Sequence, residues 1–115
     1  MAKKTNPRKR IIVTTTEEVP GYKIHDYLGL VWGTSVRAKF IGHDILAIFK
    51  TLIGGEVEPY TRMANEARMR VIKKIVANAK ALDADAVIGL RMQTAQIIPG
   101  TIEILAYGTA VKLKK

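Results

Sequence analysis

Residues 58–82, EPYTRMANEARMRVIKKIVANAKAL, decide the fold. Tyr60, Met63/Ala64, Ala67, Val71, Ile75, Ala79 and Leu82 recur three or four apart, while Arg62, Glu66, Arg70, Lys73 and Lys80 fall largely on other faces. That period predicts one long amphipathic helix, which must lay its apolar stripe on something flat. The residues on either side supply the sheet. Downstream, 86–94 (AVIGLRMQT) and 102–113 (IEILAYGTAVKL) read as strands with Ile98-Pro99-Gly100-Thr101 between them, so a C-terminal β-hairpin is expected.

Upstream, Tyr22, Ile24, Leu28, Leu30 and Trp32 share one parity over 22–36, broken only by Asp26, as a strand with one buried face would. Gly29 and Gly33 sit on the other parity, where glycines mark bulges or close backbone approach. Ile11 to Thr16 is continuously β-branched and predicts a short strand, ended by the Pro20-Gly21 turn. A short helix is expected over 40–53 from Phe40/Ile41, Ile45, Ile48/Phe49 and Leu52, stopped by Gly54-Gly55. The sum is an α+β class: a small, largely antiparallel sheet with one short and one long helix.

Val31, Leu105, Tyr107, Val111 and Leu113 are apolar on the strands' second parity. A sheet with one helical layer leaves its opposite face open, so these residues are expected to meet other copies of the chain.

Length and charge set the limits. At 115 residues the chain holds one core. Five of the first ten residues are basic (Lys3, Lys4, Arg8, Lys9 and Arg10), and Lys112, Lys114 and Lys115 close the chain. Without those eight, eleven Lys and Arg face ten Asp and Glu, so the net charge of +9 belongs to the ends. The organisation expected is a basic flexible arm over 1–10 and a single domain over 11–115. Five clustered cations suit phosphate contact by counterion release, which makes the arm a candidate for nonspecific nucleic-acid or anionic-surface binding. It has no aromatic residue for stacking on bases, and its plainer role is a solvated tail.

There is no cysteine, which removes disulfides and thiolate chemistry. No apolar run reaches the ~20 residues of a membrane span, and a cytoplasmic protein without membrane insertion is expected. No nucleophile elbow, phosphate loop, His-Glu-x-x-His or dinucleotide fingerprint is present, so binding or scaffolding is expected over catalysis. The metal-ligand types stand only as the adjacent pairs His25-Asp26 and His43-Asp44. Strand neighbours point to opposite faces, which argues against chelation by His25 and Asp26 together. His43 and Asp44 are left as the candidate ligands for a divalent metal, their set to be completed across copies. Tyr22, Tyr27, Trp32, Tyr60 and Tyr107 are expected to pack in a core or between copies, where a shared cavity could hold a small ligand.

Val13-Thr-Thr-Thr16, Pro20-Gly21-Tyr22, Tyr27-Leu28-Gly29, Gly54-Gly55, Ala84-Asp-Ala-Val-Ile-Gly89 and Ala106-Tyr-Gly-Thr-Ala110 follow one another in order. Over about residues 11–113 the chain closely resembles the YbjQ-like family of small prokaryotic proteins. The resemblance implies an α+β subunit that assembles into a ring, a pentamer, and a label of heavy-metal binding. The basic arm lies outside the family pattern, and Gly42-His43-Asp44 departs from the family's Gly-Arg-Asp.

Overall fold

In a computed structural model, which describes residues 9–38, 58–96 and 101–115, the chain forms a four-stranded sheet with one helix across it. The elements are β1 (Ile12–Val13), β2 (Lys23–Ala38), α1 (Glu58–Ala81), β3 (Ala86–Gln96) and β4 (Thr101–Lys114). Strand order is β1-β3-β4-β2. β4 pairs antiparallel with both β2 and β3, while β1 runs parallel to β3, Ile12 opposite Ala86 and Val13 opposite Val87.

Three expectations need correcting. The sheet is mixed, because the β1–β3 edge pair is parallel. A two-residue strand joined to no neighbour by a turn leaves its direction to the fold, and a strand far along the chain sets it here. Among the described residues there is one helix, α1; the short helix expected over 40–53 lies outside them. Assembly into a ring has no support in the structure. Two of the side chains expected to be hidden between copies, Val31 and Val111, are buried within the chain itself.

The strand reading of 22–36 also needs correcting. Register shifts between Ile24 and Asp26 and between Tyr27 and Gly29 each turn the alternation over, and together they cancel, so Leu30 and Trp32 share with Ile24 the face away from the helix. Val31, Gly33 and Ser35 face the helix, and Leu30 and Trp32 are exposed. Between the two shifts Leu28 packs against the helix-side core.

The main core lies between α1 and the sheet. Met63, Ala64, Ala67, Val71, Ile75 and Ala79 meet Val31, Val87, Leu90, Ile102, Ile104, Ala106 and Ala110. Leu82, expected on the same stripe, follows the helix end and is exposed. Small residues set the distance: a Cβ on Gly33 would stand 3.1 Å from both Lys74 Cβ and the Val71 carbonyl oxygen. A second cluster of Val19, Ala86, Ile88 and Val111 lies apart from it. The turn at Pro20-Gly21 presents Val19 to this cluster; Tyr22 N–H donates to the Val19 carbonyl at 3.1 Å, and Gly21 takes φ +84°.

The helix ends in a Schellman cap. Ala84 N–H reaches the Ala79 carbonyl at 3.0 Å and Asp83 N–H the Lys80 carbonyl at 2.9 Å, with Asp83 in the left-handed region at φ 58°. Lys112 holds this non-glycine cap, donating to the Asp83 carbonyl oxygen at 2.9 Å and to Oδ2 at 3.0 Å. Beside it Asp85 Oδ2 accepts the Leu113 N–H at 2.7 Å, and Asp85 also pairs with Lys9. The cluster ties the first described residue, the helix end and the last strand together.

Partial burial pushes the Asp85 carboxyl up, but the Leu113 N–H, the Lys9 hydrogen bond and the charges of Lys9 and Lys112 outweigh it and leave it below its ordinary value. A depressed folded-state pKa contributes stability that is complete above the unfolded value, about 3.9, and is lost as pH falls through the lower folded value. Urea midpoints should therefore drop in acid more steeply for the native chain than for Asp85→Asn; parallel curves would remove Asp85 from the acid response. Gly108→Ala should destabilise by about 1–3 kcal/mol in chemical denaturation. Its Cβ would meet Val87 Cγ1 at 2.7 Å and the Ile88 carbonyl oxygen at 3.0 Å, and Val87 is fully buried.

Candidate functional site

One helix covers one face of the sheet. On the other face the cross-strand pairs are Leu30–Thr109, Trp32–Tyr107, Thr34–Leu105 and Val36–Glu103. Their apolar members form a strip along β2 and β4, with Leu30 68%, Trp32 62% and Val36 55% exposed, and Leu105 and Tyr107 half-buried. An indole and two branched aliphatic side chains this open are the largest departure from ordinary burial in the described chain, and contiguous patches of this kind mark contact surfaces.

β2 is an edge strand, with an edge that could template pairing with another chain. Side chains one turn apart on α1 occupy part of it. Lys74 Nζ donates to the Thr34 carbonyl and Asn78 Nδ2 to the Trp32 carbonyl at 2.8 Å, and both residues line a cleft of about 420 Å3 at that edge. The strip thus remains open as a face while two of its strand's carbonyls are already engaged.

A second concavity, about 470 Å3, lies where residues 14–18 meet β2 and β3. Glu17, Glu18, Tyr27, Gly89, Arg91 and Thr109 line it, with Ile24 and Ile88 as its apolar part. Sequence reasoning missed Glu17, Glu18 and Arg91 as a group. Gly89 inside an otherwise β-prone run was the available signal, since it marks the second bulge that brings them together.

The residues singled out from the sequence do not converge. His43 and Asp44 lie outside the described residues, as do Lys3, Lys4 and Arg8. His25 and Asp26 are exposed at the first irregularity of β2. Lys9 is half-buried and engaged by Asp85 and, at 3.6 Å, by Asp83, so this arm cation is tied to the fold, whereas Arg10 is exposed. Among the described residues no three His, Cys, Asp or Glu side chains gather as a metal site. The donor set does not fit a soft heavy metal, because there is no thiolate anywhere in the sequence. Among the described residues no helix is long and apolar enough to cross a membrane.

Comparison with known proteins places this geometry. A family model described as "Putative heavy-metal-binding" and named YbjQ matches residues 11–114. A UPF0145 protein of Thermotoga petrophila is 52% identical over 105 residues, 91% of this chain and 99% of its own length. A UPF0145 protein of Archaeoglobus fulgidus is 50% identical over 106 residues, 92% of this chain and 98% of its own. A crystal structure of a protein of unknown function from Pediococcus pentosaceus, assigned to the DUF74 family, shares the fold with a TM-score of 0.58 and 22% identity, over 90% of this chain and 98% of that one. The match over residues 11–114, at about half identity to bacterial and archaeal relatives alike, makes the chain a member of the YbjQ/UPF0145 family of small prokaryotic proteins.

Proposed function

We propose that this chain is a non-catalytic binding protein that works as an assembly of its own copies, joined over the helix-free strip of β2 and β4. The exposure of Leu30, Trp32 and Val36 carries this reading. A second copy suits the strip because its centre, Leu30, Trp32, Thr34, Leu105 and Tyr107, carries no charge. Such a surface gains most from an equally oily one, and each large side chain removed from water contributes about 1.5–3 kcal/mol. The net charge of +9 does not oppose contact there, since it is concentrated at the chain ends. The family resemblance, which implies association of subunits, points the same way.

Sedimentation at micromolar concentration should give a mass above that of one chain for the native protein. Trp32→Asp should move it toward the single-chain mass with little loss of thermal stability, because Trp32 makes no part of the described core. A native protein that sediments as single chains would overturn the reading.

Metal binding is the second reading, supported by the family's description. Its ligands in this chain would be His43 and Asp44, completed by the same pair from other copies, and imidazole and carboxylate donors suit zinc, nickel or manganese. One of these ions should raise the melting temperature of the native protein and leave His43→Ala unmoved. Identical responses from the two chains would exclude His43.

A further inference from the structure

The hollow beside residues 14–18 is built by two bulges placed on either side of one residue. On β2 the register slips between Tyr27 and Gly29, and on β3 between Ile88 and Arg91. Thr109 of β4 pairs with Leu30 on one side and Ile88 on the other; the β2 slip lies opposite Ala110 and Val111 and the β3 slip between Thr109 and Tyr107, so the two fall one on either side of it along β4. Gly29 takes φ +118° and Gly89 φ +62°, backbone conformations that side chains oppose. Paired bulges bend the sheet and open the concavity over Thr109.

Residues 14–18 form its wall, and they are fixed in place. Thr14 and Thr16 share a hydroxyl–hydroxyl bond of 2.8 Å, Thr16 N–H donates to Thr14 Oγ1 at 3.2 Å, and Thr16 Oγ1 donates to the Glu18 carbonyl at 2.6 Å. The backbone of the second bulge holds the same segment: Gly89 N–H reaches the Thr16 carbonyl at 2.8 Å and Leu90 N–H the Thr14 carbonyl at 3.0 Å. Glu17 and Glu18 are thereby presented at the hollow from an ordered segment. Neither carboxylate has a hydrogen-bond partner among the described residues.

Arg91 is anchored to this same wall and to its own strand. Its Nη1 donates to the Thr15 carbonyl at 3.1 Å and to the Leu90 carbonyl at 3.0 Å. Those bonds use the two hydrogens of Nη1 and hold the guanidinium plane. The Nε–Nη2 edge has no partner among the described residues, and that edge is the one that grips a carboxylate through two parallel hydrogen bonds. One concavity is therefore lined by an arginine with one guanidinium edge free, by two carboxylates without a partner among the described residues, and by Ile24 and Ile88.

We infer that this hollow binds a small zwitterion of the amino-acid or dipeptide type. The ligand's carboxylate lies on the Arg91 fork, its ammonium faces Glu17 and Glu18, and an aliphatic side chain rests against Ile24 and Ile88. A volume of about 470 Å3 accommodates two residues. The opposed charges select against ligands carrying only one of them, since each blocked end leaves a charge of the protein unpaired. The site lies within one chain and does not depend on association of copies.

The test is a titration of the full chain with glycyl-leucine, followed by calorimetry and by backbone amide shifts. Saturable binding is expected, with the largest shifts at residues 17, 18, 89, 91 and 109. N-acetylation or C-amidation of the dipeptide should each weaken binding about tenfold or more. Arg91→Gln should remove the preference for a free carboxylate. Because Arg91 also holds the Thr15 carbonyl, a second variant is needed: Glu17→Gln/Glu18→Gln disturbs no bond of the wall and should remove only the preference for a free amine. No saturable binding up to about 10 mM, a range far weaker than functional small-ligand affinities, would overturn the site. So would indifference to both blocked ends. Repeating the titration on Trp32→Asp separates the two proposals: binding retained in a chain that no longer associates leaves the hollow standing, and binding lost with association would overturn a site contained in one chain.

Discussion

Helix α1 approaches the sheet so closely that a Cβ at Gly33, on the strand beneath it, would stand only 3.1 Å from the Val71 carbonyl oxygen and Lys74 Cβ. That approach is possible because the facing positions are small: Ala64, Ala67 and Ala79 on the helix, Ala106 and Ala110 on β4. Close packing of this kind concentrates dispersion contacts into one layer and leaves little freedom in how the helix crosses the strands. Everything else in the molecule follows from the fact that this layer exists on one side only. The described chain has a single helix, and the far side of the sheet must be closed by other means.

At one end the chain closes it alone. Residues 14–22 fold over β3 and β4, Val19 packs with Ala86, Ile88 and Val111, and Asp83 and Asp85 hold Lys112 and Lys9 nearby. At the other end nothing described covers the strip of Leu30, Trp32 and Val36. The two bulges lie at the boundary between these regions, and the hollow over Thr109 is their joint product. The exposed strip and the hollow are therefore neighbouring consequences of a half-covered sheet. The same sheet accounts for Lys74 and Asn78, which engage carbonyls of the edge strand from the helix side and leave the exposed face as the freer route for association.

The metal label of the family and the donors of this chain pull apart. The sequence has no cysteine, and no three His, Cys, Asp or Glu side chains gather among the described residues. What the described residues do gather is opposite charge in one concavity, Arg91 with Glu17 and Glu18.

The sequence by itself determined the elements that depend on local pattern. The stripe from Met63 to Ala79, the Pro20-Gly21 turn and the strands around 22–36, 86–94 and 102–113 were legible because backbone period and turn chemistry are written in neighbouring residues. Gly29 and Gly33 were legible as special positions, one a bulge and the other a close approach. Only the tertiary structure decided which side of β2 faces inward, because the helix packs closely on the parity that carries Val31 and Gly33 and leaves the bulkier Leu30 and Trp32 outside. It alone set β1 parallel to β3, and it alone brought Glu17, Glu18 and Arg91 to one hollow. Pairing between segments some seventy residues apart in the chain is settled by the packing of the whole, and no short stretch of sequence contains it.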